Sequence, residues 1–183
     1  MDINVLVPVM QGTEELEAVT IIDLLRRAGI RVTVAGENEI VTCSRGIKIL
    51  PDVLIDSIDT DLDFDAIILP GGAQGTENLM KNETIEKMLN HQKSKGKMIA
   101  AICAAPTVLA HLNIAEKGQA ITSHPTVKNL LNDYTWKNDA VVTDGSIITS
   151  KGAGTAIEFT LNIIRKLCDD ETADKVAEGI VYR

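Results

Sequence analysis

The strongest constraint on the fold is a repeated order along the chain. A short apolar, β-branched run is followed by glycine or another small residue and then by an amphipathic helical pattern. Ile3 to Met10 is the first such run, and Gln11, Gly12 and Thr13 follow it. Leu16, Val19, Ile22 and Leu25 then repeat at helical spacing. Glu14, Glu15 and Glu17 crowd the first turn and Arg26 and Arg27 precede Gly29, so both ends suit the helix macrodipole. The same order recurs in Arg31 to Ala35, in Ala66 to Leu69 before Gly71 and Gly72, and in Met98 to Ile102 before Cys103. Apolar runs of this kind predict buried parallel strands. Ile40 to Cys43 and Lys48 to Leu50 flank Ser44, Arg45 and Gly46, which predicts a hairpin outside that sheet. Ile85, Met88 and Leu89 mark a further helix whose Lys87, Lys93 and Lys95 form a solvated face. Thr155 to Leu167 and Asp169 to Val181 predict the last two helices. The alternation implies an α/β sandwich, a mostly parallel sheet covered on both faces by helices. No linker or repeat divides the chain, so residues 1–183 read as a single domain.

Charge and cysteine usage narrow the partners. Against 26 acidic side chains stand 18 basic ones, a net charge of −8, and counterion release from nucleic acid has little to work with. No apolar run approaches the roughly 20 residues of a membrane span. Met1 to Met10 lacks the basic start and cleavage site of a signal peptide. No nucleic-acid or membrane partner is expected, and the address is cytoplasmic. Cys43, Cys103 and Cys168 are odd in number and far apart, which predicts three free thiols in a reducing compartment and no metal site. The glycines match neither a phosphate loop nor a dinucleotide fingerprint, so no cofactor is expected.

In open parallel sheets, sites form where strands end and helices begin. Here that edge gathers Glu17, Gly71 and Gly72, Cys103 and His124. Cys103 stands between an apolar strand and the helix-forming run from Ala104 to Leu109, the layout of a nucleophile elbow. Helix N–H groups at that position favour a thiolate at neutral pH; the alternative is an inert packing cysteine. Gly72 and Ala104 are placed to offer backbone N–H groups as an oxyanion hole, although a glycine after a strand is also an ordinary turn. Glu17 adjoins Leu16 and Ala18. Facing inward, its carboxyl is raised by desolvation and can hydrogen-bond the thiolate or act as an acid and base; facing outward, it is one more surface acid. His124, before Pro125, is a candidate base or proton shuttle or else a loop histidine. Cys43 and Cys168 read as packing residues.

Several segments together resemble a known family. They are Glu14-Glu15-Leu16-Glu17, Arg26-Arg27-Ala28-Gly29-Ile30, Cys43-Ser44-Arg45, Leu69-Pro70-Gly71-Gly72, Ala100-Ala101-Ile102-Cys103-Ala104-Ala105-Pro106, Thr122-Ser123-His124-Pro125 and Thr149-Ser150-Lys151-Gly152-Ala153-Gly154-Thr155. In this order they are similar to the DJ-1/ThiJ/PfpI superfamily, in its DJ-1-like branch with the bacterial ThiJ-like proteins. The resemblance implies a flavodoxin-like three-layer sandwich related to class I glutamine amidotransferases, with a reactive Cys103 and a protonated, hydrogen-bonded Glu17. It also implies a homodimer that meets through the first helix and the hairpin, with Arg27 and Arg45 near the pocket mouth. The protease-like branch carries histidine directly after the nucleophile; here that residue is Ala104, so a peptidase is not expected. Leu50 stands where animal members carry another cysteine, so redox behaviour centres on Cys103. No further cap is expected beyond Arg183. The implied function is a cofactor-independent cysteine enzyme acting on small α-oxoaldehydes. It would convert methylglyoxal to lactate in glyoxalase III fashion, with Glu17 and His124 moving the proton, or would act as a deglycase on glycated thiols and amines. The alternative is a redox sensor or redox-dependent chaperone acting through oxidation of Cys103.

Overall fold

In the computed structural model, which describes residues 3–182, the apolar run at the start forms β1 (Asn4–Val9) and leads directly into α1 (Glu15–Arg27). Met1, Asp2 and Arg183 lie outside the described residues. The chain continues through β2 (Arg31–Gly36), a hairpin of β3 (Val41–Thr42) and β4 (Lys48–Ile49), and β5 (Val53–Leu54). Next come β6 (Ala66–Leu69), α2 (Ala73–Lys81), α3 (Glu83–Ser94), β7 (Met98–Ile102) and α4 (Pro106–His111). The last part holds β8 (Ala120–Ile121), β9 (Thr135–Trp136), β10 (Val141–Asp144), β11 (Ile147–Ser150), α5 (Ala156–Leu167) and α6 (Asp170–Gly179).

The central sheet has the order β10-β11-β7-β6-β1-β2-β5. Every neighbour pair is parallel except β10 with β11. Alternation along the strands splits the core into two layers. Val5, Val7 and Val9 of β1 and Ala100 and Ile102 of β7 face α1, α5 and α6. Leu6 and Met10, with Ile99 and Ala101 of β7, face α2, α3 and α4. This is the three-layer α/β sandwich expected from the sequence. From β1 the chain winds to β2 on one side and later to β6 on the other, and at such a reversal the loops splay apart and leave a crevice.

Two details differ from expectation. Leu16 and Val19 do not face the core: they are 53% and 50% exposed, and the buried face of α1 is Ala18, Ile21, Leu24 and Leu25. The first helix is apolar on two sides, and periodicity alone does not say which one meets the sheet. The edge hairpin β10–β11 and the two-residue strands β5, β8 and β9 carry too few residues for a periodic signal.

Candidate active site

The C-terminal ends of β1, β6, β7 and β11 converge on a cleft of about 740 Å³ lined by Glu14, Glu17, Arg45, Gly72, Cys103, Ala104 and His124, among others. Each polar group is delivered by a strand end. Cys103 directly follows β7, and its N–H donates to Ser150 O of β11 at 3.0 Å. Its backbone is left-handed, at φ 65°, a region costly for any residue with a Cβ. That dihedral has a purpose visible in the packing. Strict alternation after Ile102 would send residue 103 to the α4 side, but the turn sends the cysteine to the layer that contains α1.

Glu17 waits there, fully buried. Its helix is capped by Glu14, whose carboxylate accepts the Glu17 N–H at 2.8 Å, and Glu14 N–H donates to Gly71 O at 3.0 Å. In return Gly71 N–H donates to Glu17 Oε2 at 2.8 Å. Only glycine allows this approach: a Cβ at position 71 would lie 2.6 Å from Cys103 Cβ and 2.8 Å from Glu17 Oε2. Gly72 adopts φ 91°, and a Cβ there would strike the Gly12 carbonyl. The second carboxyl oxygen, Glu17 Oε1, is buried without a nitrogen or oxygen donor among the described residues, which leaves the Cys103 thiol as the group to pair with it.

Burial pushes the Glu17 carboxyl up to about 7, against the opposing pull of the Gly71 and Cys103 hydrogen bonds. Burial, the neighbouring Glu17 charge and the Glu17 hydrogen bond push the Cys103 thiol up to about 12, while the N–H groups of Gly72 and Ala104 pull it down. The expected pull of backbone N–H groups toward a thiolate is present, but burial and Glu17 outweigh it. The helix begins only at Pro106, and the sulfur lies half-buried beside an acid. Thiol and carboxyl form one titrating unit, which sheds its first proton near neutrality and holds the second far above it.

His124 lines the same cleft. Its N–H donates to Cys103 O at 2.7 Å, which ties its loop to the cysteine turn. Thr126 N–H donates to His124 Nδ1 at 3.3 Å, and Thr126 Oγ1 lies 2.7 Å from the same atom. A backbone N–H can only donate, so the neutral ring carries its proton on Nε2. The N–H groups of Gly72 and Ala104 are turned to the sulfur itself. Arg45 reaches the mouth of the cleft because Glu15 Oε1 accepts its N–H at 2.8 Å, while Glu15 Oε2 accepts Ser44 Oγ at 2.7 Å. Arg27 is not brought to this cleft. It lies ten residues along α1 from Glu17, about 15 Å away, and pairs with Asp23 at 2.8 Å. The anchoring role of Glu15 and the contacts around His124 were not foreseen, since nothing in a run of glutamates marks one as buried. Cys43, Cys103 and Cys168 are all free. Among the described residues, no three His, Cys, Asp or Glu side chains form a metal-ligand set.

The chain is similar to known proteins along nearly its whole length. A model of the DJ-1/PfpI family matches residues 3–166. The chain is 45% identical over 185 aligned residues to the protein dj-1beta of Drosophila melanogaster, covering 99% of this chain and 98% of that one. It is 41% identical to the glutathione-independent glyoxalase DJR-1.2 of Caenorhabditis elegans, over 93% of this chain and 91% of that one. The crystal structure of Drosophila melanogaster DJ-1beta superposes with a TM-score of 0.96 at 43% identity, covering 100% of both chains.

Proposed function

The chain belongs to the DJ-1/PfpI family, and on that premise we propose that it is a cofactor-independent cysteine enzyme converting small α-oxoaldehydes, methylglyoxal foremost, to 2-hydroxy acids. The whole chain serves as one domain. The observation that carries the reading is the fully buried Glu17, whose carboxyl pairs with the Cys103 thiol at the base of an open cleft and whose Oε1 has no nitrogen or oxygen donor among the described residues. A bare carboxylate oxygen is expensive to bury. The pair is therefore relieved when Oε1 carries the proton and donates it toward an ionised sulfur, which the N–H groups of Gly72 and Ala104 also stabilise. The glyoxalase relative from Caenorhabditis elegans supports the choice of substrate.

The reaction balances without an electron acceptor. Cys103 Sγ adds to the aldehyde carbon and the carbonyl electron pair moves to oxygen, which takes the Glu17 proton to give a hemithioacetal. The Glu17 carboxylate so formed removes the hydrogen from that carbon as a proton, and an enediolate develops. His124 donates its Nε2–H to the enediolate oxygen on the ketone carbon, rather than serving as the base. Glu17 returns the proton to that carbon while the hydroxyl on the sulfur-bearing carbon gives its proton back to His124 Nε2 and closes to a carbonyl, and a thioester of lactate results. Water cleaves the C–S bond, placing hydroxyl on the acyl carbon and hydrogen on sulfur.

The test is a time course with purified protein and methylglyoxal that follows both aldehyde loss and lactate formation. Lactate is expected in many equivalents per chain, abolished by Cys103→Ser. About a hundredfold loss is expected in Glu17→Gln and about tenfold in His124→Ala. Stoichiometric aldehyde loss without lactate would overturn the reading. It would favour the second one, a redox sensor, which the same sulfur supports by opening to the cleft beside a carboxyl able to hydrogen-bond its oxidised forms.

The exposed Leu16 and Val19 of α1, with Ile47 and Leu50 of the hairpin, support a homodimer meeting through this face. No helix among the described residues is long and apolar enough to cross a membrane. Three free thiols suit a reducing, cytoplasmic address.

A further inference from the structure

We propose that Trp136, the chain's lone tryptophan, is a positioning residue for His124 and acts through Ser123. His124 opens a 3-10 turn over Pro125–Leu130 that has no buried residue of its own. The turn is therefore held from outside. β8 and β9 pair with Ile121 opposite Trp136, and Lys137 N–H donates to Ile121 O at 2.8 Å. This places the indole next to the residues just before His124. Trp136 Nε1 donates to Ser123 Oγ at 3.1 Å. An indole N–H can only donate, so the Ser123 oxygen accepts, and its own proton goes on to His124 O at 3.1 Å. On its other side the His124 N–H is fixed to Cys103 O.

Both backbone groups of His124 are thus held, the N–H by the cysteine turn and the carbonyl by the Val127 N–H of its own turn at 3.1 Å and by Ser123, whose hydroxyl the tryptophan orients. With the backbone held, Thr126 N–H meets Nδ1 and leaves the proton on Nε2. Lys128 of the same turn places its ammonium 4.4 Å from the indole ring centroid, a second tie between the turn and the same ring. Trp136 itself does not line the cleft. Its effect on chemistry passes wholly through the imidazole.

The kinetic part of the test rests on the oxoaldehyde reading, and the spectroscopic part does not. Trp136→Phe keeps the ring over Lys128 but removes the donor. The chain has three histidines, so ¹⁵N-histidine NMR resolves each ring. The wild-type protein is expected to show His124 with an unprotonated Nδ1 and a protonated Nε2. In Trp136→Phe the His124 shifts should move toward those of a tautomer mixture while His91 and His111 stay in place, which also shows the fold intact. The rate constant for lactate formation should fall roughly tenfold with KM within about twofold, and adding Trp136→Phe to His124→Ala should cost nothing more. Ser123→Ala breaks the same link and stands in if the tryptophan variant does not fold. An unchanged His124 spectrum in a folded variant would overturn the inference, as would an equal loss in the His124→Ala background. If the wild-type chain makes no lactate, the proposed reaction fails, and the spectra still decide the role of Trp136.

Discussion

Gly152 lies at the meeting point of the three candidate groups. A Cβ there would sit 3.5 Å from His124 Cδ2 and 3.9 Å from both Cys103 Sγ and Glu17 Oε1, ordinary contact distances. Its backbone is extended, a conformation open to any residue. Gly152→Ala should therefore fold normally while filling the space a substrate needs. The expected result is an unchanged melting temperature with at least a tenfold loss in kcat/KM for methylglyoxal, read by calorimetry and steady-state kinetics. Glu17 offers a test of sign. Its carboxyl is raised from 4.5 to about 7, so its contribution to stability is fully present below pH 4.5 and is lost as pH rises through 7. Glu17→Gln should be more stable than the wild-type protein at pH 8, by about 3 kcal/mol, and the gap should close toward pH 4.5. At this scale the sequence was informative about identity and silent about environment. Cys103 and His124 could be picked out because each follows an apolar strand, and Glu17 because it adjoins Leu16 and Ala18 in the first helix. A raised Glu17 carboxyl followed from an inward-facing side chain and from the family resemblance, but the residues around it alone left inward and outward open, because they do not record depth.

Among the elements, the short hairpin β3–β4 is tied to α1 through the buried Glu15, which accepts from Ser44 and Arg45 in its turn. Desolvation pushes Glu15 up, but the hydrogen bonds from Ser44, Arg45 and Ile47 outweigh it and hold the carboxyl below 4.5. Glu15→Ala should free the hairpin at a cost of about 2 kcal/mol, seen as a lower denaturation midpoint and as faster amide exchange across residues 41–49. The contribution of Glu15 is present above pH 4.5 and fades as pH falls below it, so the wild-type protein should approach the variant in acid. The long buried strands were legible almost to the residue: Ala66–Leu69 and Met98–Ile102 were expected with those bounds. The first helix was legible as a helix but not in its orientation, since Leu16 and Val19 make as good a stripe as Ala18 and Ile21. Within one chain Arg27 stays away from the cleft. It shares an element with Glu17 but sits at the opposite end.

For the whole molecule, the outward stripe of α1 becomes a prediction about assembly. A charge in the middle of a buried apolar contact is strongly unfavourable, so Leu16→Asp or Val19→Asp should convert a dimer to a monomer in sedimentation velocity runs. An unchanged sedimentation coefficient would remove α1 from the contact. The three-layer arrangement could be anticipated because it follows from alternation alone, whereas β10–β11 and the β8–β9 pair arise from long-range pairing that short segments cannot announce. The left-handed Cys103 carries a consequence for how such a molecule fares in a cell. Holding a residue with a Cβ at φ 65° is a standing tension that glycine would release. A descendant with glycine at that position would keep its fold and lose its sulfur. Surveillance that recognises proteins by their unfolding would let it pass, and the loss of chemistry would be heritable and silent until the substrate accumulated.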